Sequence, residues 1–339
     1  MGIKEIAEEA GVSSTTVSLA LNGRKGVSSI TRNRILEIAD KLNYRIPSDR
    51  IMPRPALGTI LFAKIRKHGL ILNQDQHSFI LDYIEGINKG IRNTGYSFEI
   101  HTQQIQSIAA FVQDINARKP KGLIVLGTEL TCDDIISLKR LDVPYVVIDT
   151  YFEHIASDYV DMANIPALHE IIGHFVATRH QDIGMATCKI KSGNVVMRER
   201  GFKLALEYYR LTYRDHSMIV LQPGFDGAYT SMLNHLEQNG ALPQALFCYN
   251  DIAAYGVIKA LKEHGISVPE DISIAGFDDL PMSFMMDAQL TSYHIPNKEI
   301  GALAASTILK RVTEKGSHHP TGILVGGTLV KRDSVAYRT

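Results

Sequence analysis

The residues best equipped for specific polar contact lie near the start of the chain, in Ala10-Gly11-Val12-Ser13-Ser14-Thr15-Thr16-Val17-Ser18-Leu19-Ala20-Leu21-Asn22-Gly23. Helical spacing puts Val17 and Leu21 on one face and Ser14, Thr15 and Ser18 on the opposite one. Short hydroxyl side chains at a helix start can bond phosphates and base edges in a major groove. The exposed backbone N–H groups and the helix dipole there favour a phosphate as well. Taken alone, the run fits an ordinary capped surface helix equally well. The basic group Arg24, Lys25, Arg32 and Arg34 meets no acid between positions 10 and 36, but scattered charges also fit a plain solvated face.

Residues arranged for catalysis are harder to find. The chain has no Gly-rich Lys loop for nucleotide phosphates, no G-x-G-x-x-G after a strand, no G-x-S-x-G elbow and no H-E-x-x-H. His174 and His180 are six apart, a poor metal spacing, and His318-His319 precede Pro320 in a loop pattern, so all four read as surface histidines. Cys132, Cys188 and Cys248 are odd in number and far apart, which suits neither a disulfide framework nor a zinc set. The expectation is a non-enzyme with no cofactor and no metal.

Three short helical patterns carry the first segment. Lys4 to Ala10 places Ile6, Ala7 and Ala10 on one face before Gly11 breaks it, and Ser13 or Ser14 can cap a second helix to about Leu21. A third runs roughly from Thr31 to Leu42, capped by Ser28 or Ser29, with Ile35, Leu36, Ile38, Ala39 and Leu42 as its apolar stripe. Two short helices joined through a Gly-containing turn and braced by a third make a helix-turn-helix unit. Residues 47–57, with Pro47, Pro53 and Pro55, read as a linker. From Gly58 onward apolar strands alternate with amphipathic helices, the rhythm of parallel sheets covered on both faces, and their number calls for two lobes rather than one sheet. The fold class expected is an N-terminal all-α helix-turn-helix head plus an α/β core of two doubly wound parallel-sheet lobes. Its divisions are 1–46 for the head, 47–57 for the linker and 58–339 for the core. Within the core, the N-lobe takes about 58–160 and 295–320, and the C-lobe about 161–292 and 321–339.

The charge agrees with this division. The 339 residues carry 36 Lys and Arg against 36 Asp and Glu, a balance that on its face argues against nucleic acid. Residues 1–58, however, hold nine basic and six acidic side chains, so a head with a surplus of three positive charges is joined to a body with the opposite surplus. No apolar run approaches the ~20 residues of a membrane span. Lys4, Glu5, Glu8 and Glu9 occupy the stretch where a secretory leader would be apolar, so a cytoplasmic protein without a membrane partner is expected.

Gly11-Val12-Ser13, Thr16-Val17-Ser18, Leu21-Asn22, Val27-Ser28, Thr31-Arg32 and Leu42-Asn43-Tyr44 closely resemble the head of the lactose-repressor and galactose-repressor family of bacterial regulators. The resemblance implies a second helix in the major groove and a homodimer on a near-palindromic, double-stranded operator. Carried over by position, Ser14, Thr15 and Leu19 would face bases, and Ser13, Thr16, Ser18, Asn22 and Thr31 the backbone. Leu19 stands where many members have Arg or His; it can touch a thymine methyl but cannot hydrogen-bond a guanine. The linker departs further, since Pro53 falls close to the family's minor-groove Leu, leaving Ile51 or Met52 as a substitute wedge on one helical turn from Ser48 to Met52.

The resemblance continues to the C-terminus through Phe79 to Gly95, Ile183 to Phe202, Phe247-Cys248-Tyr249-Asn250-Asp251 and the run from Ile266 to Asp279. It implies a core similar to periplasmic sugar-binding proteins, with a small-molecule effector, a sugar or sugar derivative, between two lobes. Arg198 matches the family's effector arginine. Asp278 and Asn250 end strands, where open α/β sheets bind ligands. Phe79 and Phe225 are the expected stacking rings, and Asn194 and Asn164 complete the effector set. The family's Asp-Asn pair is here Ala163-Asn164, and this change, with the altered hinge, leaves room for a protein co-regulator in place of a sugar. A body of this kind without its head would be a carbohydrate-binding protein of transport; the head speaks against that.

Overall fold

A computed structural model describes residues 3–21, 26–42, 44, 56–67, 77–214, 217–238, 240–314 and 318–338. Asn22 and the hinge residues 47–55, including the substitute wedge at Ile51 or Met52, lie outside the described residues. The chain divides into two compact units, Met1–Ala56 and Leu57–Thr339.

Among its described residues the first unit has three helices, α1 (Ile3–Ala10), α2 (Ser14–Leu21) and α3 (Ser29–Lys41). Gly11 closes α1 with φ of 64°, while its own N–H reaches Glu8 O and the Val12 N–H reaches Ala7 O. This pair of bonds satisfies the last carbonyls of the helix through a left-handed residue that glycine adopts without strain. Ser13 caps α2, its Oγ accepting the Thr16 N–H at 3.1 Å, and Ser28 does the same for Thr31 at 3.1 Å. Ile6, Ala7, Ala10, Val17, Ala20, Ile35, Ile38 and Ala39 form the small core. Leu36, expected in the stripe, is 43% exposed, because Ile35, Ile38 and Ala39 already fill the inward face of α3.

The second unit holds two six-stranded sheets. In the first lobe β1 (Thr59–Arg66), α4 (His77–Ile91), β2 (Ser97–Gln104), α5 (Ile108–Arg118), β3 (Gly122–Leu126), α6 (Cys132–Leu138), β4 (Tyr145–Ile148) and β5 (Tyr159–Met162) alternate. The second lobe follows with α7 (Asn164–Ala177), β6 (Ile183–Cys188), α8 (Gly193–Tyr208), β7 (Met218–Leu221), α9 (Gly224–Glu237), β8 (Ala245–Cys248), α10 (Asp251–Glu263), β9 (Ser273–Asp278), the short α11 (Met282–Met285) and β10 (Thr291–His294). The chain then returns through α12 (Asn297–Thr313) to β11 (Gly322–Val325) in the first sheet and ends at β12 (Thr328–Val330) in the second.

The sheet orders are β11-β5-β4-β3-β1-β2 and β12-β10-β9-β8-β6-β7, parallel throughout except for β12 against β10. Every residue of β3, β6, β8 and β9 is buried, as two-sided coverage by helices requires. The chain passes between lobes three times, after β5, after β10 and after β11. Residues 161–162 and 322–325 therefore belong with the first sheet, and the expected boundaries at 160 and 320 are corrected accordingly. His180 is also corrected: it is 1% exposed, with ring nitrogens 3.0 Å from Thr178 Oγ1 and 2.8 Å from Ser273 Oγ. Burial lowers its pKa.

Candidate functional site

On the head, the caps decide which hydroxyls point outward. Ser13 Oγ is tied to Thr16 Oγ1 at 2.8 Å, and Ser28 Oγ to Thr31 Oγ1 at 2.8 Å, so these four hydroxyls stabilise helix starts. Ser14 and Thr15 stand exposed on the first turn of α2, with Ser18 and Leu19 half-buried one turn on. Val17 and Ala20 hold the opposite face in the core. The structure thus presents two side chains fully outward and leaves Leu19 leaning toward Gly26.

In the second unit, polar side chains converge where strands of both lobes end. Arg198, one turn into α8, is 5% exposed. Its Nε donates to Asn164 Oδ1 at 3.0 Å, its Nη1 to the Tyr249 carbonyl at 2.5 Å and its Nη2 to Met162 Sδ at 3.0 Å. Asp278 Oδ1 lies 3.6 Å from Nη2, and the guanidinium sits 3.6 Å from the Phe277 ring centroid. Asn164 Nδ2 donates to Asn194 Oδ1 at 2.9 Å, and Asn194 Nδ2 donates to the Asp149 carboxylate at 3.1 Å. Thr128 and Tyr83 also donate to Asp149. An oriented chain of hydrogen bonds therefore runs from Arg198 through Asn164 and Asn194 to Asp149, from the second lobe into the first.

Asp149 and Asp278 end β4 and β9 with φ of 61° and 103°, in the left-handed region that side chains other than glycine seldom adopt. Such strain gathers where a carboxylate is held for contact. Burial is the main cause that raises both acids: Asp149 to about 6, and Asp278 well above the usual carboxylate range despite Arg198. Asp161, on β5 and fully buried, is raised by burial and by the neighbouring Asp149 charge.

Phe79, Thr128, Asp149, Ser192, Asn194, Val195, Arg198, Tyr249, Asn250 and Asp278 enclose a cavity of about 30 Å³. Room for one water is all that leaves, so a larger ligand would fit only with the lobes further apart. At the mouth, a Cβ on Gly193 would stand 2.0 Å from Thr150 Oγ1, so the absence of a side chain lets the loop after β4 close on α8. Glu153 and Arg200 pair across the same seam.

Residues 2–47 match the family described as bacterial regulatory proteins, lacI family, and residues 172–335 match the periplasmic binding protein-like domain. The HTH-type transcriptional repressor PurR of Haemophilus influenzae is 28% identical over 340 residues, covering 98% of each chain. A cellobiose complex of the transcriptional regulator CelR superposes with a TM-score of 0.72 at 20% identity, over 98% of this chain and 99% of that one. The lac repressor dimer bound to operator and an anti-inducer gives 0.71 at 22%, over 99% of each. The chain is thus similar to lacI-family regulators in its head and to periplasmic-binding-protein-like domains in its core, with likeness to repressors along nearly its whole length.

Six of the seven effector candidates read from the lacI-family resemblance meet in one place. Phe79, Asn194, Arg198, Asn250 and Asp278 line the cavity, and Asn164 bonds to two of them. Phe225 does not join them: at the start of α9 it lines a separate hollow with Ile252, Tyr255 and Met282, under Lys259. Asn250 also caps α10, its Oδ1 accepting the Ala253 N–H at 2.9 Å. Asp149, Thr128 and Asp161 went unnoticed in the sequence. An acid directly after the apolar run Tyr145–Ile148 was the available sign for Asp149, the same sign that marks Asp278 at the end of β9.

Proposed function

We propose that the protein is a transcription repressor of the lacI family that binds operator DNA through α2 and is controlled by a sugar held between the two lobes of its core. The observation that carries this reading is the union, on one chain, of a helix-turn-helix head and a two-lobed core whose strand-end acids converge on a buried arginine. Ser14 and Thr15 would meet base edges, while the hydroxyls held by caps and the helix start meet phosphate. Ligand hydroxyls would replace parts of the Arg198–Asn164–Asn194–Asp149 chain. The sugar can shift the lobe equilibrium only by its differential affinity for the two arrangements.

Two heads per operator need two copies. Met282, Phe284 and Met285 on α11 are 56%, 63% and 75% exposed, an apolar surface that a second copy would cover. Such a protein acts in the cytoplasm. Among the described residues no helix is long and apolar enough to cross a membrane.

Titration of the full chain against the DNA upstream of its own gene, in a gel shift with and without sugars, tests the reading. Sequence-selective binding that weakens steeply with salt and changes with a sugar supports it; binding indifferent to sequence, with no salt slope, overturns it. The tight cavity favours one other control: DNA binding that ignores all sugars yet responds to cell extract would assign the regulation to a protein partner.

A further inference from the structure

Which bases α2 can tell apart is set by the side chains it carries. Its eight residues, Ser14 to Leu21, include no charged, amide or imidazole group. Among the described residues of the head, the basic side chains Lys4, Arg32, Arg34 and Lys41 stand on α1 and α3 instead. On α2, Ser14 and Thr15 are exposed and Ser18 and Leu19 half-buried, while Val17 and Ala20 face the core. Helical spacing sets Ser14 beside Ser18 and Thr15 beside Leu19, each pair four residues apart. The outer surface is therefore one ridge of hydroxyls next to one ridge of methyls. Leu19 Cδ1 lies 3.9 Å from where a Cβ on Gly26 would stand, and glycine puts no side chain over the leucine there.

In a major groove guanine is read by paired contacts from Arg or Lys, adenine by Asn or Gln, and cytosine by a carboxylate. The α2 surface offers none of these. A hydroxyl both donates and accepts, so it bonds purine and pyrimidine edges with little preference. The 5-methyl of thymine is the one base-specific group that an apolar surface can sense there. Resting on the reading of α2 as the helix that meets the operator, we propose that Thr15 and Leu19 select thymines through their 5-methyl groups, while Ser14 and Ser18 add contacts of low base preference. On α2 the purine N7 acceptors then have no dedicated reader. Burial of one methyl is worth about fourfold in affinity, and two symmetric half-sites raise this to about fifteenfold.

The test starts with duplexes selected from a random-sequence pool by the full-length protein, alone and with a panel of sugars. On the selected site each thymine is replaced by uracil, which removes the methyl and keeps the pairing and the minor-groove edge. Each purine is separately replaced by its 7-deaza form, which removes the N7 acceptor. Uracil at one or two positions of each half-site should weaken binding about fourfold per methyl, more than any 7-deazapurine does. At those positions 5-methylcytosine should bind better than cytosine. Thr15→Ser removes one methyl and keeps the hydroxyl, and should bring the thymine-to-uracil ratio at one position to about one. Leu19→Ala should do so at a second position, with a thermal melt to show that the head stays folded. A site that tolerates uracil throughout, or that loses more to 7-deazapurines, overturns the proposal and keeps the repressor. A thymine-to-uracil ratio unchanged by Thr15→Ser and by a folded Leu19→Ala overturns it as well. A pool that yields no selected site in any arm sinks the repressor reading itself, and this proposal with it.

Discussion

Asn194 Nδ2, at the start of α8 in the second lobe, donates to both the backbone carbonyl and the carboxylate of Asp149 in the first, at 3.0 and 3.1 Å. One amide thus ties the second lobe to the first. It takes its orientation from Asn164, which Arg198 orients in turn. A ligand hydroxyl that displaces the Asn194 amide from Asp149 is therefore felt at the crossover after β5.

Gly193, beside Asn194, leaves no room for added bulk. A Cβ there lies 2.0 Å from Thr150 Oγ1 and 3.1 Å from the Tyr151 carbonyl, so Gly193→Val should hold the seam open. Overpacking of this kind costs about 1–3 kcal/mol, which converts to a five- to hundredfold loss of sugar affinity. Titration of the variant with the sugar that binds the parent protein measures it; an unchanged Kd would mean that binding does not require closure.

Asp149 carries a pH dependence. Its folded pKa is about 6, above the ordinary 3.8, so the native state binds more protons than the unfolded chain between those values. Stability from this group is accordingly highest at pH below about 4, is lost as pH rises to 6 and is level above that. The whole effect is roughly 3 kcal/mol at ~1.4 kcal/mol per unit. Asp149→Asn should flatten the slope of Tm against pH from 4 to 6. Hydroxyl donors favour the ionised carboxylate, so sugar affinity should rise with pH through 6, a trend that calorimetry at pH 5 and 7 would reveal or refute.

At the head, Ser14→Ala and Thr15→Ala should each weaken operator binding by about 1–3 kcal/mol and relax the preference at one base position, leaving the salt slope nearly unchanged. Ser13→Ala works differently: it removes the cap on α2, costing about 1 kcal/mol of head stability. Thermal melts and gel shifts on the same variants separate the two effects.

Phe284→Asp puts a charge on the apolar surface of α11. Sedimentation should show monomers where the parent protein sediments as a dimer, and operator affinity should fall by more than tenfold because only one head remains per particle. A dimer that survives the change would locate the interface elsewhere.

Much of the fold was legible because it rests on periodicity. The buried runs of β3, β6, β8 and β9 and the caps at Ser13 and Ser28 are local signals. β5, β10, β11 and β12 were not legible: they are as short as β8 but, unlike its uniformly buried apolar run, they carry polar residues or lie partly exposed. Arg198 and Asp278 could be found because an arginine on a helix and an acid after a strand keep their meaning out of context. Phe225 could not be placed, since an aromatic ring at a helix start can turn toward either of two surfaces, and here Lys259 and Ile252 receive it. Asp161 sits between Val160 and Met162 on a short strand. Its partners come from distant elements, and no local pattern announces them.

The triple passage of the chain between the lobes has a genetic consequence. β11 and β12, four and three residues long, complete sheets whose other strands were laid down more than 25 residues earlier. Neither lobe is encoded by one uninterrupted stretch, so a single recombination point cannot exchange one half of the cleft and leave the other whole. A ribosome must also have translated residues 322–330 before both sheets have their full set of strands, which ties the folding of both halves to the same short segment.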